Sequence, residues 1–138
     1  FESAVGDIIV TLDADGQHDP DEIPLLLGPI LEEKADMALG ARAAIPYFSE
    51  RVIARLTSLR VSVKDASTGF RAIKADIARR MDLHGSCVCG TLILEAKARG
   101  ARIVDVSINV REREEGERRI QTRHFKQVLY VLYGLVRY

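Results

Sequence analysis

Apolar and polar positions divide this chain into short segments whose periods assign most of its elements. Ile8-Ile9-Val10-Thr11-Leu12 is a continuous, β-branched run, the pattern of a strand buried on both faces. From Glu22 to Lys34, Ile23, Leu26, Leu27, Ile30 and Leu31 recur at helical spacing. Ala35 to Gly40 reads as a short second strand, with Ala41-Arg42 leaving its end. Ser49 to Leu59 reads as a helix with Val52, Ile53, Leu56 and Leu59 on one face. A polar turn, Asp65 to Arg71, enters a brief strand from Phe70 to Ile73, and a helical turn or two follows from Lys74 to Met81. Thr91 to Arg99 is a better helix, stopped by Gly100 just past its end. Ile103, Val104, Val106, Ile108 and Val110 mark a strand within Arg102 to Val110. A highly charged segment, Arg111 to Arg119, precedes a closing amphipathic helix from about Thr122 to Tyr138.

The polar break after the first strand is the most specific feature. Asp13 and Asp15 follow Leu12 where the strand should end, and Gly16 helps the chain turn there. Asp19-Pro20-Asp21-Glu22 is a helix start, with Asp19 as N-cap, Pro20 at the first helical position and Glu22 three residues after the cap. Strand, acidic turn and helix together form the layout of an open α/β sheet that binds ligands beyond the carboxyl ends of its strands.

Composition narrows the classes. The 138 residues suit one domain with a real core. A net charge of zero gives no push toward nucleic acid, and no run approaches a membrane span. Cys87 and Cys89 are the two cysteines, too few for a zinc site, and read as reduced structural thiols in a cytosolic protein.

Asp13 and Asp15, with Gln17, His18 and Asp19 close by, form an oxygen-rich site for a hard divalent cation. Mg²⁺ or Mn²⁺ takes one or two protein carboxylates and completes its shell with phosphate oxygens and water. Such an ion would neutralise charge on a diphosphate leaving group. The plainer reading is a solvated acidic turn that only caps the next helix. An EF-hand loop counted from Asp13 fails, because His18 and Pro24 stand where Gly and Glu are needed. A phosphatase or nucleotidyltransferase using Asp13 remains a competitor, weakened by Gln17 after the D-x-D-G and by the lack of a later glycine-aspartate metal motif.

Asp13-Ala-Asp-Gly-Gln-His-Asp-Pro-Asp-Glu-Ile-Pro24 resembles the metal-binding turn of the family 2 glycosyltransferases, specifically the dolichyl-phosphate mannose and glucose synthase group. Ala35-Asp-Met-Ala-Leu-Gly-Ala-Arg42 is similar to that group's strand ending in G-S-R, with Ala41 in place of Ser. Asp65-Ala-Ser-Thr-Gly-Phe-Arg71 is similar to its D-x-S/T-G-F-R segment, and Gly100 to Ile108 to its G-x-x-I-x-E-V-P-I strand. Arg111 to Arg119 stands where the group has R-x-x-G-x-S-K, with arginines replacing the serine and lysine.

The resemblance implies a GT-A-type fold, a mixed central sheet flanked by helices, and a single domain over 1–138. That domain would be the carboxyl-terminal two-thirds of the family's, without the amino-terminal part that grips base and ribose. It implies inverting transfer of a hexose from a nucleotide sugar, of the GDP-mannose or UDP-glucose type, to a polyprenyl phosphate. Asp13, with Ala14 beside it, would contact the nucleotide sugar, while Asp15 and Gln17 would hold Mg²⁺ or Mn²⁺ against the diphosphate. Arg42 would meet donor or acceptor phosphate, and Arg113 and Arg118 the diphosphate. Asp65, Ser67, Thr68 and Arg71 would serve the acceptor phosphate, although Asp65 and Arg71 could equally be a local ion pair closing their turn. Glu95 reads as a surface residue, and His18 as a loop histidine. In the last helix, Phe125, Val128, Leu129, Leu132, Leu135 and Val136 form a stripe that would pack on the sheet or on a twin subunit. With Arg123, Lys126 and Arg137 flanking it, the same stripe suits peripheral contact with the cytosolic face of a membrane. A scaffold that keeps the fold without catalysis is the reading from a different class.

Overall fold

Four strands, β1 (Ile8–Thr11), β2 (Met37–Ala41), β3 (Arg71–Lys74) and β4 (Ile103–Ser107), form one sheet in the order β1-β3-β2-β4 in the computed structural model. The structure describes all residues except 2, 46, 84–87, 112–121 and 138, and only the backbone of 122–125. β3 runs antiparallel to β1 and β2, whereas β2 and β4 are parallel. Leu39 and Thr11 both lie opposite Arg71, and Ala41 lies opposite Ser107. That register brings the carboxyl ends of β1, β2 and β4 to one edge of the sheet, together with the turn that enters β3.

β2 has both faces covered, and all five of its residues are buried. Its alternation divides the core in two. Met37 and Leu39 join Ile53, Ile73, Ile93, Leu94 and Val131 on one face, whereas Ala38 joins Leu26, Ile30, Phe70, Ala72 and Ile108 on the other. Helix α1 (Ile23–Leu31) supplies the second cluster. Helices α2 (Phe48–Thr57), α3 (Ala75–Arg79), α4 (Thr91–Ala98) and α5 (Thr122–Arg137) supply the first. Each fully buried leucine or isoleucine is worth about 1.5–3 kcal/mol, so the two-sided core fixes where the strand ends point.

Several expectations need correction. β1 is half-buried along its length and has only β3 as a partner among the described residues. Its alternation still reaches both clusters, Ile9 packing on the first and Ile8 and Val10 on the second, so both faces are covered but only in part. Pro20–Glu22 is a separate 3₁₀ turn, capped by the Asp19 carboxylate accepting the Asp21 N–H at 3.1 Å, and α1 begins only at Ile23. The Glu22 carboxylate does not return to its own cap; it accepts the Asn109 backbone N–H and side-chain amide at 2.9–3.2 Å. Leu59 lies beyond α2 and is exposed. Glu95 is buried rather than on the surface: Oε1 accepts the Asp82 N–H at 3.0 Å and pairs with Arg99 one helical turn on. Gly100 does end its helix as expected, at φ 82°.

The apolar stripe of α5 divides between two faces. Val131 is fully buried with Val128 and Leu135 packed beside it, whereas Leu129, Leu132 and Val136 are exposed. Gln127 is also fully buried on the inner face, donating to the Cys89 carbonyl at 2.9 Å and to Thr91 Oγ1 at 3.2 Å.

Candidate active site

Three segments converge where the carboxyl ends of β1, β2 and β4 meet: the acidic turn 13–19, the turn 65–70, and the stretch 108–111 that continues β4. The acidic turn is shaped locally. Asp15 Oδ1 accepts the Gln17 N–H at 3.2 Å, and Gly16 takes φ 77°, a conformation that only glycine adopts without strain. Asp13 and Ala14 are exposed, and Asp15 and Gln17 partly so.

The turn 65–70 is pinned to the acidic turn. Thr11 Oγ1 donates to the Gly69 carbonyl at 2.9 Å. A Cβ added at Gly69 would lie 2.6 Å from the Asp13 Cγ, closer than side chains approach one another. The Asp13 carboxylate therefore rests on the bare Cα of Gly69, and the two sequence motifs form one site. His18 completes the seat: its ring lies against Phe70, with centroids 5.3 Å apart, and its Nε2 is 3.8 Å from Asp13 Oδ2, beyond hydrogen-bond length. His18 beside it holds the Asp13 carboxyl below its ordinary value against partial burial, and the fields of Arg71 and Arg42 add to that. The carboxylate form is thus favoured at the position that would face a ligand.

Arg42, Asp65, Ser67, Thr68 and Arg71 lie deeper. Arg42 Nε meets Asp65 Oδ2 at 2.5 Å, and its Nη2 reaches Asp65 Oδ1 at 3.0 Å, Glu50 Oε2 at 3.0 Å and Ser67 Oγ at 2.7 Å. The carboxylate of Asp65 is thus matched with Arg42, and Asp65 also takes the Ser67 N–H at 3.1 Å. Asp65 and Thr68 are fully buried and Arg71 nearly so, so these residues support the turn from beneath. Thr68 Oγ1 accepts the Phe70 N–H at 3.2 Å and tightens it. Burial pushes the Asp65 carboxyl up, but Arg42 and Ser67 outweigh it and hold it below its ordinary value.

The third segment is laced to the acidic turn. His18 and Val110 form an antiparallel bridge, and the Arg111 N–H donates to the Gln17 carbonyl at 2.9 Å. Gln17 Nε2 donates to the Arg111 carbonyl at 3.3 Å, and the Arg111 guanidinium pairs with Asp19. Arg113 and Arg118 lie outside the described residues.

Among the described residues, no group of three or more His, Cys, Asp or Glu is placed to enclose a metal. Asp13, Asp15 and the Gln17 amide at an exposed strand end would instead supply part of the oxygen shell of an ion that kept phosphate oxygens and water as its other ligands. The residues fit Mg²⁺ or Mn²⁺ in that form.

Sequence reasoning missed Glu50, Asn109 and Gln127. Glu50 carries no periodic signal, because a polar residue in a helix is ordinarily solvated, whereas here it is buried and accepts from Arg42. The Gly69 contact had a visible sign in the Ser-Thr-Gly-Phe string, but the atom that fills the glycine's space comes from another segment.

Comparison with known proteins adds to this geometry. The profile of Glycosyl transferase family 2 matches residues 1–90. An undecaprenyl-phosphate mannosyltransferase of Micrococcus luteus is 32% identical over 129 residues, covering 80% of this chain and 52% of that protein. A polyprenol monophosphomannose synthase of Mycolicibacterium smegmatis is 27% identical over 141 residues, covering 89% and 52% respectively. The chain therefore spans about half the length of these relatives. The crystal structure of glucosyl-3-phosphoglycerate synthase from Mycobacterium tuberculosis with phosphoglyceric acid superposes with a TM-score of 0.70 at 17% identity, over 98% of this chain and 50% of that one. At that identity the likeness shows the fold, which is of the GT-A type.

Proposed function

The chain belongs to glycosyl transferase family 2, and from that premise we propose that it carries the metal-binding and acceptor-side part of a hexosyltransferase acting on a polyprenyl phosphate. The observation that carries this reading is the seat of the Asp13 carboxylate on Gly69, which joins the D-A-D turn and the S-T-G-F-R turn into one exposed anionic site. The names of the relatives supply the acceptor class, and a nucleotide sugar of the GDP-mannose or UDP-glucose type is the matching donor.

In this reading Asp15 and Gln17 hold Mg²⁺ or Mn²⁺, which when bound offsets charge on the donor's diphosphate. Asp13 orients the nucleotide sugar, and its depressed pKa keeps it a carboxylate throughout. An oxygen of the acceptor phosphate attacks the anomeric carbon, the bond to the diphosphate breaks, and the nucleoside diphosphate leaves with the electron pair and with inversion. The attacking oxygen is already anionic, so no general base is required. Arg42, Asp65, Ser67 and Thr68 act by fixing the turn that carries Gly69, and Arg71 sets the field beneath Asp13. Arg113 and Arg118 are the proposed cationic contacts to the diphosphate. The exposed face of α5, Leu129, Leu132, Tyr133 and Val136, is the surface through which the protein would approach a lipid-bound acceptor. No helix among the described residues is long and apolar enough to cross a membrane.

The test is calorimetric titration of GDP and UDP into the full-length protein, with and without Mn²⁺, beside Asp15→Asn. Binding that requires both Mn²⁺ and Asp15 is expected, and the tighter nucleotide names the donor base. Metal-independent binding would overturn the cation role of Asp15 and Gln17, and no binding would leave the scaffold reading in its place.

A further inference from the structure

The contacts between residues 17–22 and 109–111 exceed what is needed to join a turn to a strand end. Six of them run side by side. Asn109 donates its backbone N–H and its side-chain amide to Glu22. Val110 bridges His18. Arg111 gives its N–H to the Gln17 carbonyl, and its guanidinium pairs with Asp19. The Arg111 carbonyl receives Gln17 Nε2 at 3.3 Å.

This last bond decides how the Gln17 side chain presents itself. An amide has a donor end and an acceptor end, and the hydrogen-bond partner selects which end is which. A carbonyl can only accept, so the Arg111 oxygen takes the NH₂ end of Gln17. That leaves Oε1, the end a cation would use, without a protein partner among the described residues. Groups that orient a metal ligand in this way commonly change metal affinity tenfold to a hundredfold when removed.

We propose that the clasp of Glu22 and Asp19 on Asn109 and Arg111 is a positioning device. It holds the Arg111 carbonyl against Gln17 and so aims the Gln17 amide oxygen toward the acidic turn. Asp19, Glu22, Asn109 and Arg111 are then positioning residues for cation binding, acting through Gln17. The inference rests on the reading of Asp15 and Gln17 as cation ligands. It also fastens residues 109–111 to the acidic turn, so a change on either side is felt by the other.

The test uses the full-length protein, with Mn²⁺ and GDP as probes. Asp19→Asn keeps the side-chain oxygen that caps the following turn but removes the charge facing Arg111, and Glu22→Gln weakens the two-oxygen grip on Asn109. The double variant is expected to keep its thermal midpoint almost unchanged, because exposed ion pairs contribute little to stability. It is expected to lose about tenfold in Mn²⁺-supported GDP affinity. The Gln17 side-chain amide resonances, observed by ¹⁵N NMR without metal, should shift in the same variant. Undiminished Mn²⁺-supported affinity, or an unmoved Gln17 amide, overturns the proposal. Should the double variant not fold, Arg111→Gln repeats the measurement from an exposed position. Asp15→Asn separates the two levels: if it loses Mn²⁺-supported binding while the clasp variants do not, only the positioning role fails. If it binds as the parent does, the cation-site reading fails and the proposal with it.

Discussion

Two polar clusters lie side by side at one edge of the sheet, and they are built on opposite principles. In the cluster of Arg42, Asp65, Glu50 and Ser67, one guanidinium meets two carboxylates and a hydroxyl, and the side chains are nearly shut from water. Its charges are compensated within the fold, and its loss would leave an unpaired ion in the core. In the cluster of Asp13, Asp15 and Gln17, the carboxylates are open to solvent and no guanidinium is bonded to Asp13 among the described contacts. The His18 ring lies 3.8 Å from Asp13. The first cluster can stabilise but has little left to offer a ligand. The second contributes little to folding, and in the proposed reading it is the part that meets a cation and a sugar nucleotide. Position in the fold, and not residue type, separates the two roles.

The largest expected effect comes from exchanging treatments between them. Arg42→Ala leaves Asp65 and Glu50 buried without their counter-ion and should lower stability by about 3–5 kcal/mol, read as a shift of the urea midpoint. Asp13→Asn removes a charge from an exposed position and should change stability by less than about 1 kcal/mol, while abolishing Mn²⁺-supported nucleotide binding. Equal stability losses from the two substitutions would erase the distinction.

A smaller and sharper effect is expected at the contact that joins the clusters. In Gly69→Ala the new methyl group claims the space of the Asp13 carboxylate, and the yielding atoms belong to a side-chain tip rather than to backbone. The fold should therefore lose no more than about 1–2 kcal/mol, but Asp13 must rotate off its seat. Nucleotide affinity should fall about tenfold or more, since misplacement by an ångström can have large consequences. Unchanged affinity in the folded variant would mean that Asp13 does not act from this position.

The same contrast explains what was legible in the residues alone. The order of strands and helices followed from apolar period, and the acidic turn of Asp13, Asp15 and Gln17 stood out after a β-branched run, whereas the roles proposed for these residues came only with the family resemblance. Element ends were less legible: Asp19 caps a 3₁₀ turn, with α1 delayed to Ile23. Residues whose roles depend on distant partners were not legible at all. Glu50 meets Arg42 inside the fold, Glu22 is drawn from its expected capping role by Asn109, and Glu95 pairs inside with Arg99. Local pattern carries local structure, whereas charge compensation is settled by tertiary contact. The half-burial of β1 shows the same limit, since its apolar run does not state how many partners it has.

The smallest effect concerns a carboxylate at the border of the buried cluster. Asp105, on β4, accepts the Lys64 N–H through Oδ2 at 2.9 Å, while Oδ1 is buried without a hydrogen bond. Burial raises its carboxyl above the ordinary value, and Asp65 nearby adds to the rise. Its pH behaviour is therefore opposite to that of Asp65. For Asp65 the folded value is depressed, so its stabilisation is present above the unfolded value of about 3.9 and is lost as pH falls through the lower folded value. For Asp105 the folded state prefers the proton, so its ionised form weakens the fold above its raised folded value. That penalty is relieved as pH falls through this value and is gone below about 3.9. Asp105→Asn keeps an oxygen for Lys64 and removes the charge, at the cost of placing an amide NH₂ where Oδ1 lacked a partner. The absolute offset between variant and parent should be within about 1 kcal/mol of zero, but its trend has a definite sign. Measured by urea midpoint, the variant should do best relative to the parent near pH 7 and lose that relative advantage on descending toward pH 4. A difference independent of pH would show that Asp105 is no more reluctant to ionise in the fold than in the unfolded chain. The border of the buried cluster would then be as fully compensated as its centre.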